Sequence, residues 1–487
     1  MMRPRGGVAA AILAAAVTAC AGRASVEPGP AAPVPARAPT PVPGWSAAEV
    51  RGLQRDVHRA LNAPALADGG VSIVDAQGRP LFARHAAQPY APASTFKLLV
   101  AATALHVLGP AFRFSTTLEA LGQPENGTLH GDLYLVGTGD PTLTRDDLRA
   151  GIGTLVRGGV RTVDGAVIAD AAAFADPELN RAWDPDDLQY GYAAGTSALS
   201  LDQGTIEFRI APAAPGAAAR IRMLPRATSV RIFGGVVTAS TTLLYIERAA
   251  ARNDFTFEGR IAAGAEQSYW RPVIGLGLYA ADVTRTMLRE AGVSVAGGAG
   301  TGIAPVAPAV LWHHRSQPLH QIVRDMLVSS NNHFAEQLLR AVGTVHGTGT
   351  AARAMLAERA LLRQDGVPQM GLRIVDASGL AATDRVAPIT LAMLLARTAA
   401  QPRGGDLIDA LPLVGREGTV RGHRLTSALG RARAKSGHIE NVDALAGYVV
   451  SRRHGRLSFA VLVNDRRADD PEIDDGIDAM LDILARS

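Results

Sequence analysis

Lysine occurs at only two positions in the 487 residues, Lys97 and Lys435, and each has a serine close by in the sequence. The other 47 of the 49 basic residues are arginine. Arginine stays protonated in proteins, whereas a buried lysine can lose its proton near neutral pH. The two lysines are therefore candidates for proton transfer. The alternative is that both persist by chance on the surface.

Ser94 and Lys97 are three residues apart at the start of a helix that the sequence predicts from Thr95 to about Leu108. This spacing puts both side chains on one face of the helix. A neutral amine can accept the proton of a serine hydroxyl and make its oxygen a nucleophile. The N–H groups of a helix start can stabilise a developing oxyanion. We therefore predict that Ser94 is a nucleophile and Lys97 its base, although this motif alone is a weak signal.

A second polar segment, Ser329-Ser330-Asn331-Asn332, lies between two predicted helices. Ser330 and Asn332 are two residues apart, so in an extended segment or a turn both can point into one cleft. The hydroxyl would pass a proton to a leaving amine, and the amide would hold a peptide carbonyl or orient the lysine. Serine and asparagine are also favoured helix N-caps, so capping is the alternative interpretation.

A third segment, Lys435-Ser436-Gly437-His438, opens a predicted C-terminal strand. Lys435 would bring a positive charge to a substrate carboxylate, and the Ser436 hydroxyl would add a hydrogen bond. Gly437 permits a close approach of the backbone. The alternative is an exposed lysine at a sheet edge beside a turn glycine.

The order Ser-x-x-Lys, Ser-x-Asn and Lys-Ser-Gly is typical of penicillin-binding proteins and β-lactamases. Ser330 follows Ser94 by 236 positions (330 minus 94). With this long separation, the chain resembles the class C low-molecular-mass penicillin-binding proteins, which are D-alanyl-D-alanine carboxypeptidases/endopeptidases. The resemblance covers about residues 46–487 and is supported by the segments Pro92–Lys97, Asp132–Thr142, Ser197–Asp202, Asp376–Leu380 and Ala444–Tyr448.

This resemblance implies an α/β fold: a transpeptidase/β-lactamase-like domain with an antiparallel sheet flanked by helices, split by a long insertion. We expect the catalytic domain at residues 45–111 and 306–487. Residues 112–305, where short strand-like segments alternate with turns, would form one or two β-rich inserted domains. The inner insert would span roughly residues 200–265.

The resemblance also implies roles for the five predicted catalytic residues. Ser94 would be the acylated nucleophile and Lys97 its base. Ser330 and Asn332 would complete the proton network. Lys435 would contribute to binding the carboxylate that ends a D-Ala-D-Ala peptide.

Three neighbours of Lys435 would complete the substrate site. Ser436 would bind the terminal carboxylate with Lys435, Gly437 would line the site, and the backbone N–H groups of Ser94 and His438 would form the oxyanion hole. Ser436 stands where threonine is usual in this family. His438 stands where a small hydroxyl residue is common, so its ring would narrow the site or alter substrate preference.

The expected substrates are therefore peptidoglycan stem peptides, and β-lactams would acylate the same serine. Neither a metal nor a cofactor is expected, because the sequence has no His-Glu-x-x-His motif and no clustering among its 12 histidines. Two alternatives remain open. A β-lactamase would need a base that activates water, for which the sequence has no signal. A peptidoglycan-binding scaffold would bind without cleaving.

The first residues are typical of an export signal. Residues 1–19 carry two arginines and a short apolar run, and Val17-Thr18-Ala19-Cys20 resembles the lipobox of bacterial lipoproteins. Residues 20–44 would be a lipidated Cys20 followed by a Pro/Ala-rich linker. We expect a protein exported to the cell envelope and held by a lipid anchor at the periplasmic face of the outer membrane. The alternative is an ordinary secretory signal.

Composition limits the other classes of function. Hydrophobic residues make up 47% of the chain, which fits a folded protein. The 49 basic and 45 acidic residues leave a formal charge of only +4, so no nucleic-acid partner is expected. The single cysteine excludes a disulfide framework within the chain.

Overall fold

The computed structural model describes residues 44–464 and 471–487, and its first helix begins with a capping box. The Ser46 side chain accepts from the backbone N–H of Glu49, and the Glu49 carboxylate accepts from the backbone N–H of Ser46. These two bonds satisfy N–H groups that have no partner inside a helix. The helix then buries Leu53 and Val57.

Ten α-helices occur in the described residues. They are α1 (Ala47–Ala60), α2 (Lys97–Val107), α3 (Arg145–Arg157), α4 (Leu276–Glu290), α5 (Leu319–Ser329), α6 (Asn332–Gly343), α7 (Ala351–Gln364), α8 (Pro388–Ala400), α9 (Gly404–Ala410) and α10 (Pro471–Arg486). A 3₁₀ turn, Ala93–Phe96, leads into α2. None of these described helices is long and apolar enough to cross a membrane.

The two ends of the described chain form one antiparallel sheet of five strands. Its strands are β1 (Gly70–Val74), β2 (Pro80–Arg84), β18 (Ala432–Ile439), β19 (Val442–Ser451) and β20 (Gly455–Asn464), in the spatial order β18-β19-β20-β1-β2. Strands β1 and β2 form a hairpin, since they are consecutive in the chain and pair antiparallel. All neighbouring strands in this sheet run antiparallel, as the predicted fold class requires.

Helices cover both faces of this sheet. On one face, α2 and α5 to α9 pack around Ala446 and Leu462 of β19 and β20. On the other face, α1 and α10 pack around Val449 and Phe459 of the same strands. Because both faces are buried, β19 and β20 are nearly continuous apolar runs rather than alternating ones.

The residues between α2 and α5 contribute the other strands, which form four separate sheets. The strands are β3 (Ser115–Ala120), β4 (Thr128–Leu129), β5 (Leu133–Gly137), β6 (Thr162–Val163), β7 (Val167–Asp170), β8 (Thr205–Ala211), β9 (Arg220–Leu224), β10 (Arg231–Gly234), β11 (Val237–Ala239), β12 (Leu243–Arg248), β13 (Asp254–Ala262), β14 (Gln267–Pro272), β15 (Ser294–Val295), β16 (Ala299–Thr301) and β17 (Ala309–Arg315). Strands β8, β9 and β14 form one sheet, and β10 to β13 form another.

Strands β10 and β11 are separate because Gly234, the last residue of β10, adopts a left-handed conformation with φ of 71°. Strand β17 pairs with β3, beyond the predicted end of the insertion at residue 305. The insertion boundaries remain a proposal, and this pairing favours an end at about residue 316.

Candidate active site

Ser94 and Lys97 meet at the junction between the 3₁₀ turn and α2. Ser94 lies in the turn, whereas the prediction had it at the start of the α-helix, and Lys97 is the first residue of α2. Side chains three residues apart eclipse one another in a 3₁₀ turn. The Lys97 Nζ therefore comes within 2.8 Å of the Ser94 Oγ.

Two further oxygens surround the Lys97 amine. Nζ lies 2.6 Å from Asn332 Oδ1 and 2.8 Å from the carbonyl oxygen of Ser378. An ammonium would donate a hydrogen bond to each of its three neighbours. A neutral amine has two N–H groups for the two carbonyl oxygens, which leaves its lone pair for the Ser94 hydroxyl. This is the arrangement that a base needs.

Burial makes the neutral form of Lys97 accessible. The side chain is 0% exposed, and burial lowers its pKa from 10.5 to about 7. The negative charges of Asp376 and Glu336 act in the opposite direction and favour the ammonium. The pKa of Lys97 is therefore close to the value that a general base needs near neutral pH.

The segment between α5 and α6 brings Ser330 and Asn332 to the same place. Ser330 ends α5 in a left-handed conformation, with φ of 60°, and lines the cleft that also contains Ser94. Asn332 begins α6 and reaches Lys97 with its Oδ1 and the backbone oxygen of Tyr192 with its Nδ2. The capping role falls to Asn331, whose side chain accepts from the N–H of Phe334. The capping alternative therefore applies to neither predicted residue.

Lys435 is buried in β18, so it is not the exposed edge lysine of the alternative interpretation. Its side chain is 0% exposed, and its Nζ donates to the backbone oxygen of Ser436 at 2.6 Å. Burial, and then the nearby charge of Lys97, lower the pKa of Lys435 well below its usual value. A substrate carboxylate beside this amine would favour its charged form.

The next residues of β18 face the serine. Gly437 lies so close to the 3₁₀ turn that a Cβ there would come within 2.7 Å of the Pro92 oxygen and 3.0 Å of the Ser94 nitrogen. The Ser436 hydroxyl lies 2.7 Å from the Thr419 hydroxyl. The imidazole Nδ1 of His438 lies 2.8 Å from Asp443 Oδ1 on the neighbouring strand.

A cleft of about 370 Å³ joins these residues. Five of the predicted site residues line it, namely Ser94, Ser330, Ser436, Gly437 and His438. Gly422, His423 and Ile477 also line it. Lys97 and Asn332 are linked to Ser94 by the hydrogen bonds given above. Among the described residues, no group of three or more His, Cys, Asp or Glu side chains could hold a metal. Cys20 lies outside the described residues.

Four residues of this region were assigned no role from the sequence. The Thr419 hydroxyl lies beside that of Ser436 in the cleft, and the backbone oxygen of Ser378 accepts from Lys97. Asp376 and Glu336 hold the segment that contains Ser378. Only the Asp376-Ala-Ser-Gly segment had a signal, as part of the family resemblance. The contact from Ser378 to Lys97 is made by a backbone carbonyl, which every residue type has, so the residue type at position 378 does not predict it.

Residues 53–487 match the D-Ala-D-Ala carboxypeptidase 3 (S13) family. The chain belongs to this family. It is therefore a serine-type D-Ala-D-Ala carboxypeptidase of the penicillin-binding protein group, as the resemblance implied.

Individual S13 relatives align over most of the chain. The D-alanyl-D-alanine carboxypeptidase of Actinomadura sp. (strain R39) is 33% identical over 442 residues, which is 86% of this chain and 82% of that protein. The D-alanyl-D-alanine carboxypeptidase DacB of Haemophilus influenzae is 27% identical over 396 residues, or 78% of this chain and 81% of the relative.

A solved structure shares the fold. Penicillin-binding protein 4 (dacB) of Haemophilus influenzae superposes with a TM-score of 0.77 and 24% sequence identity, over 89% of this chain and 99% of the other. A second structure of that protein, in complex with a novel β-lactam, superposes with a TM-score of 0.70 and 24% identity, over 88% and 97% of the two chains. The superposition supports the α/β fold with its large insertion.

Proposed function

We propose that this S13 enzyme cleaves the terminal D-Ala-D-Ala bond of peptidoglycan stem peptides through an acyl-enzyme on Ser94. The supporting observation is the distance of 2.8 Å between Lys97 Nζ and Ser94 Oγ, in a site where Lys97 has two other fixed acceptors. The proposal also rests on the family, whose name states the D-Ala-D-Ala carboxypeptidase activity.

Acylation begins when the neutral amine of Lys97 takes the proton of the Ser94 hydroxyl. The oxygen of Ser94 attacks the carbonyl carbon of the penultimate D-Ala, and the resulting oxyanion accepts from the backbone N–H groups of Ser94 and His438. The C–N bond then breaks. The proton that Lys97 took from Ser94 passes through the hydroxyl of Ser330, which lines the cleft beside Ser94, to the leaving D-Ala nitrogen, and Lys97 becomes neutral again. Water later attacks the ester and releases the shortened peptide.

Lys435, Ser436 and Thr419 form the proposed site for the terminal carboxylate. The two hydroxyls lie 2.7 Å apart on the cleft wall, and each has a hydrogen to donate. The buried Lys435 amine adds a positive charge when a carboxylate arrives, since nearby negative charge raises the pKa of an amine. Substrate binding therefore favours the protonated, positively charged form of Lys435.

A product assay separates this function from its two alternatives. A peptide ending in D-Ala-D-Ala should release free D-alanine continuously, detected by mass spectrometry, whereas nitrocefin should give a stoichiometric burst followed by little turnover. Steady nitrocefin hydrolysis would favour a β-lactamase, and peptide binding without D-alanine release would favour a scaffold. Defined cross-linked muropeptides in the same assay distinguish carboxypeptidase from endopeptidase cleavage.

β-Lactams should react with Ser94 because they present an acylating carbonyl to the same nucleophile. The β-lactam complex of the Haemophilus influenzae protein, which has the same fold, supports this proposal. The ring-opened drug would remain bound to Ser94 as an ester, and the expected burst of nitrocefin without turnover tests this.

We also propose that the mature chain is anchored in the outer membrane by lipid on Cys20, with the enzyme in the periplasm. The support is the lipobox-like sequence Val17–Cys20 and the proline-rich stretch that follows it. In Cys20→Ser cells, the enzyme should move from the membrane fraction to the soluble periplasmic fraction and keep its D-alanine release. Globomycin should block processing of the wild type. Unchanged membrane fractionation of Cys20→Ser would contradict the anchor.

A further inference from the structure

Four buried carboxyl groups lie near the segment that contacts Lys97, and the proposed mechanism uses none of them. Glu336 and Glu358 are each 1% exposed, and Asp376 and Asp384 are 0% exposed. Burying a carboxylate is unfavourable unless hydrogen bonds or charges compensate. The contacts of each group therefore show what it holds in place.

Glu336 and Asp376 hold the same short segment through its backbone. Glu336 Oε1 accepts from the N–H groups of Ala377 at 2.7 Å and Ser378 at 3.1 Å. Asp376 Oδ1 accepts from the N–H of Gly379 at 2.6 Å. The backbone N–H groups of residues 377, 378 and 379 thus all donate to one of these two carboxylates. The Ser378 carbonyl is left facing Lys97, whose Nζ it contacts at 2.8 Å.

The segment is also in contact with the turn that carries Ser94. Gly379 has a left-handed backbone, with φ of 76°, and a Cβ there would come within 1.9 Å of the Ala93 oxygen. Asp376 Oδ2 receives a further hydrogen bond of 2.8 Å from Trp183 Nε1, in the inserted part of the chain. A shift of residues 376–379 would therefore displace both members of the Ser94–Lys97 pair.

We propose that Glu336 is a positioning residue for acylation: its buried carboxylate fixes the segment that holds Lys97, and its negative charge controls how readily the Lys97 amine takes the proton of Ser94. This inference rests on the proposed role of Lys97. Glu336 itself touches neither the substrate nor the reacting oxygen.

The charged groups around Lys97 and Glu336 determine whether removing the Glu336 charge raises or lowers the pKa of Lys97. Lys97 faces Asp376, Glu336 and the amine of Lys435, together with Ser94 and Asn332. Burial lowers the pKa of Lys97 to about 7, while the carboxylates oppose this change. Removing the charge of Glu336 therefore lets Lys97 become neutral at a lower pH.

Glu336 changes charge in the same pH range. Burial raises its pKa to about 7, the neighbouring Asp376 adds to this effect, and Arg340 opposes it. Arg340 Nη1 lies 3.2 Å from Glu336 Oε2. Two further buried acids belong to this group: burial raises the pKa of Glu358 to about 8, and burial and the neighbouring Asp376 raise that of Asp384 to about 10. Lys97 and Glu336 consequently titrate as a coupled pair.

Glu336→Gln tests the charge while keeping an oxygen for the two N–H groups. The measurement is the second-order rate constant of acylation by a fluorescent penicillin, from about pH 5 to about pH 9. We expect the acid limb of the Glu336→Gln profile to move to lower pH, with a plateau within about tenfold of the wild type. Glu336→Ala also loses the support, so its plateau should fall about 100-fold.

Glu358→Gln is the matched control, because it replaces another buried glutamate that has no hydrogen bond to residues 377–379 among the described contacts. Glu358 acts on Glu336 but not directly on Lys97, so the acid limb of Glu358→Gln should move much less than that of Glu336→Gln, and not toward lower pH. Should Glu336→Gln fail to fold by circular dichroism, Arg340→Gln should move the limb in the same direction, because it favours neutral Glu336.

An unchanged acid limb in a folded Glu336→Gln or Arg340→Gln variant would overturn the inference and leave the proposed function intact. Failure of the wild type to form a penicillin ester on Ser94 would instead remove the proposed function. The two failures are therefore distinguishable in the same experiment.

Discussion

Replacing Ser94 with alanine should reduce kcat/KM for D-alanine release by about 10⁴-fold or more, since no other group supplies the ester oxygen. The fold should be unaffected, because the change removes one hydroxyl and its 2.8 Å contact with Lys97. Purified Ser94→Ala protein should also show no covalent adduct with a labelled penicillin. D-Alanine release and intact-protein mass are the two measurements.

Ser329→Ala is the control for this result. Ser329 is next to Ser330, but its hydroxyl donates to the backbone oxygen of Asp325 within α5. Its D-alanine release and penicillin labelling should match the wild type. Ser94→Ala protein that retains wild-type labelling would show that another residue is the nucleophile.

The second large effect is expected for Lys97→Arg. Arginine keeps a positive charge, but its pKa stays above about 12, so it cannot take the proton of Ser94. We expect the acylation rate constant to fall about 10³-fold or more, measured with a fluorescent penicillin. Thermal unfolding of the same sample controls for folding, because the larger guanidinium enters a site where Lys97 is 0% exposed.

The pH dependence of the acylation rate shows which protonation state of Lys97 is active. Because burial lowers the pKa of Lys97 to about 7, the amine is protonated below that pH and available as a base above it. Wild-type acylation should therefore rise with pH through about 7 and then level off. The residual activity of Lys97→Arg should lack this limb. A variant that keeps both the rate and the limb would exclude Lys97 as the base.

Local sequence patterns were sufficient for several elements. The capping box at Ser46 and Glu49 marks the start of α1. The apolar runs that become β19 and β20 are long because both of their faces are buried. Ser94 and Lys97 are near in sequence, so their contact depends on only one turn. Such features depend on neighbouring residues, which is why the sequence alone predicts them.

Other elements depend on residues far away in the chain. Helix α4 has no side-chain cap of its own and begins after Gly275, whose φ is 66°. Its cap is Glu178, which accepts from the N–H groups of Gly275 at 2.9 Å and Leu276 at 2.7 Å. No local signal marks this start, so the sequence predicted strands throughout the insertion. By contrast, α3 has a local capping box at Thr144 and Asp147 that the prediction overlooked.

The site shows the same division between local and distant information. Residue types identified the groups that would react, because lysine is so rare in this chain. They did not identify the groups that hold Lys97, since Glu336 and Asp376 act on backbone N–H groups of residues 377–379. Buried acids of this kind have a recognisable role only when the packing around them is known.

Peptide mapping after exposure to penicillin tests the central claim most directly. Trypsin should release residues 85–97, bounded by Arg84 and Lys97, as a peptide that contains Ser94. We expect one drug molecule per chain, localised by tandem mass spectrometry to the Ser94 side chain, and no adduct on this peptide from Ser94→Ala. An adduct on any other residue, with residues 85–97 unmodified, would contradict the assignment of Ser94 as the nucleophile.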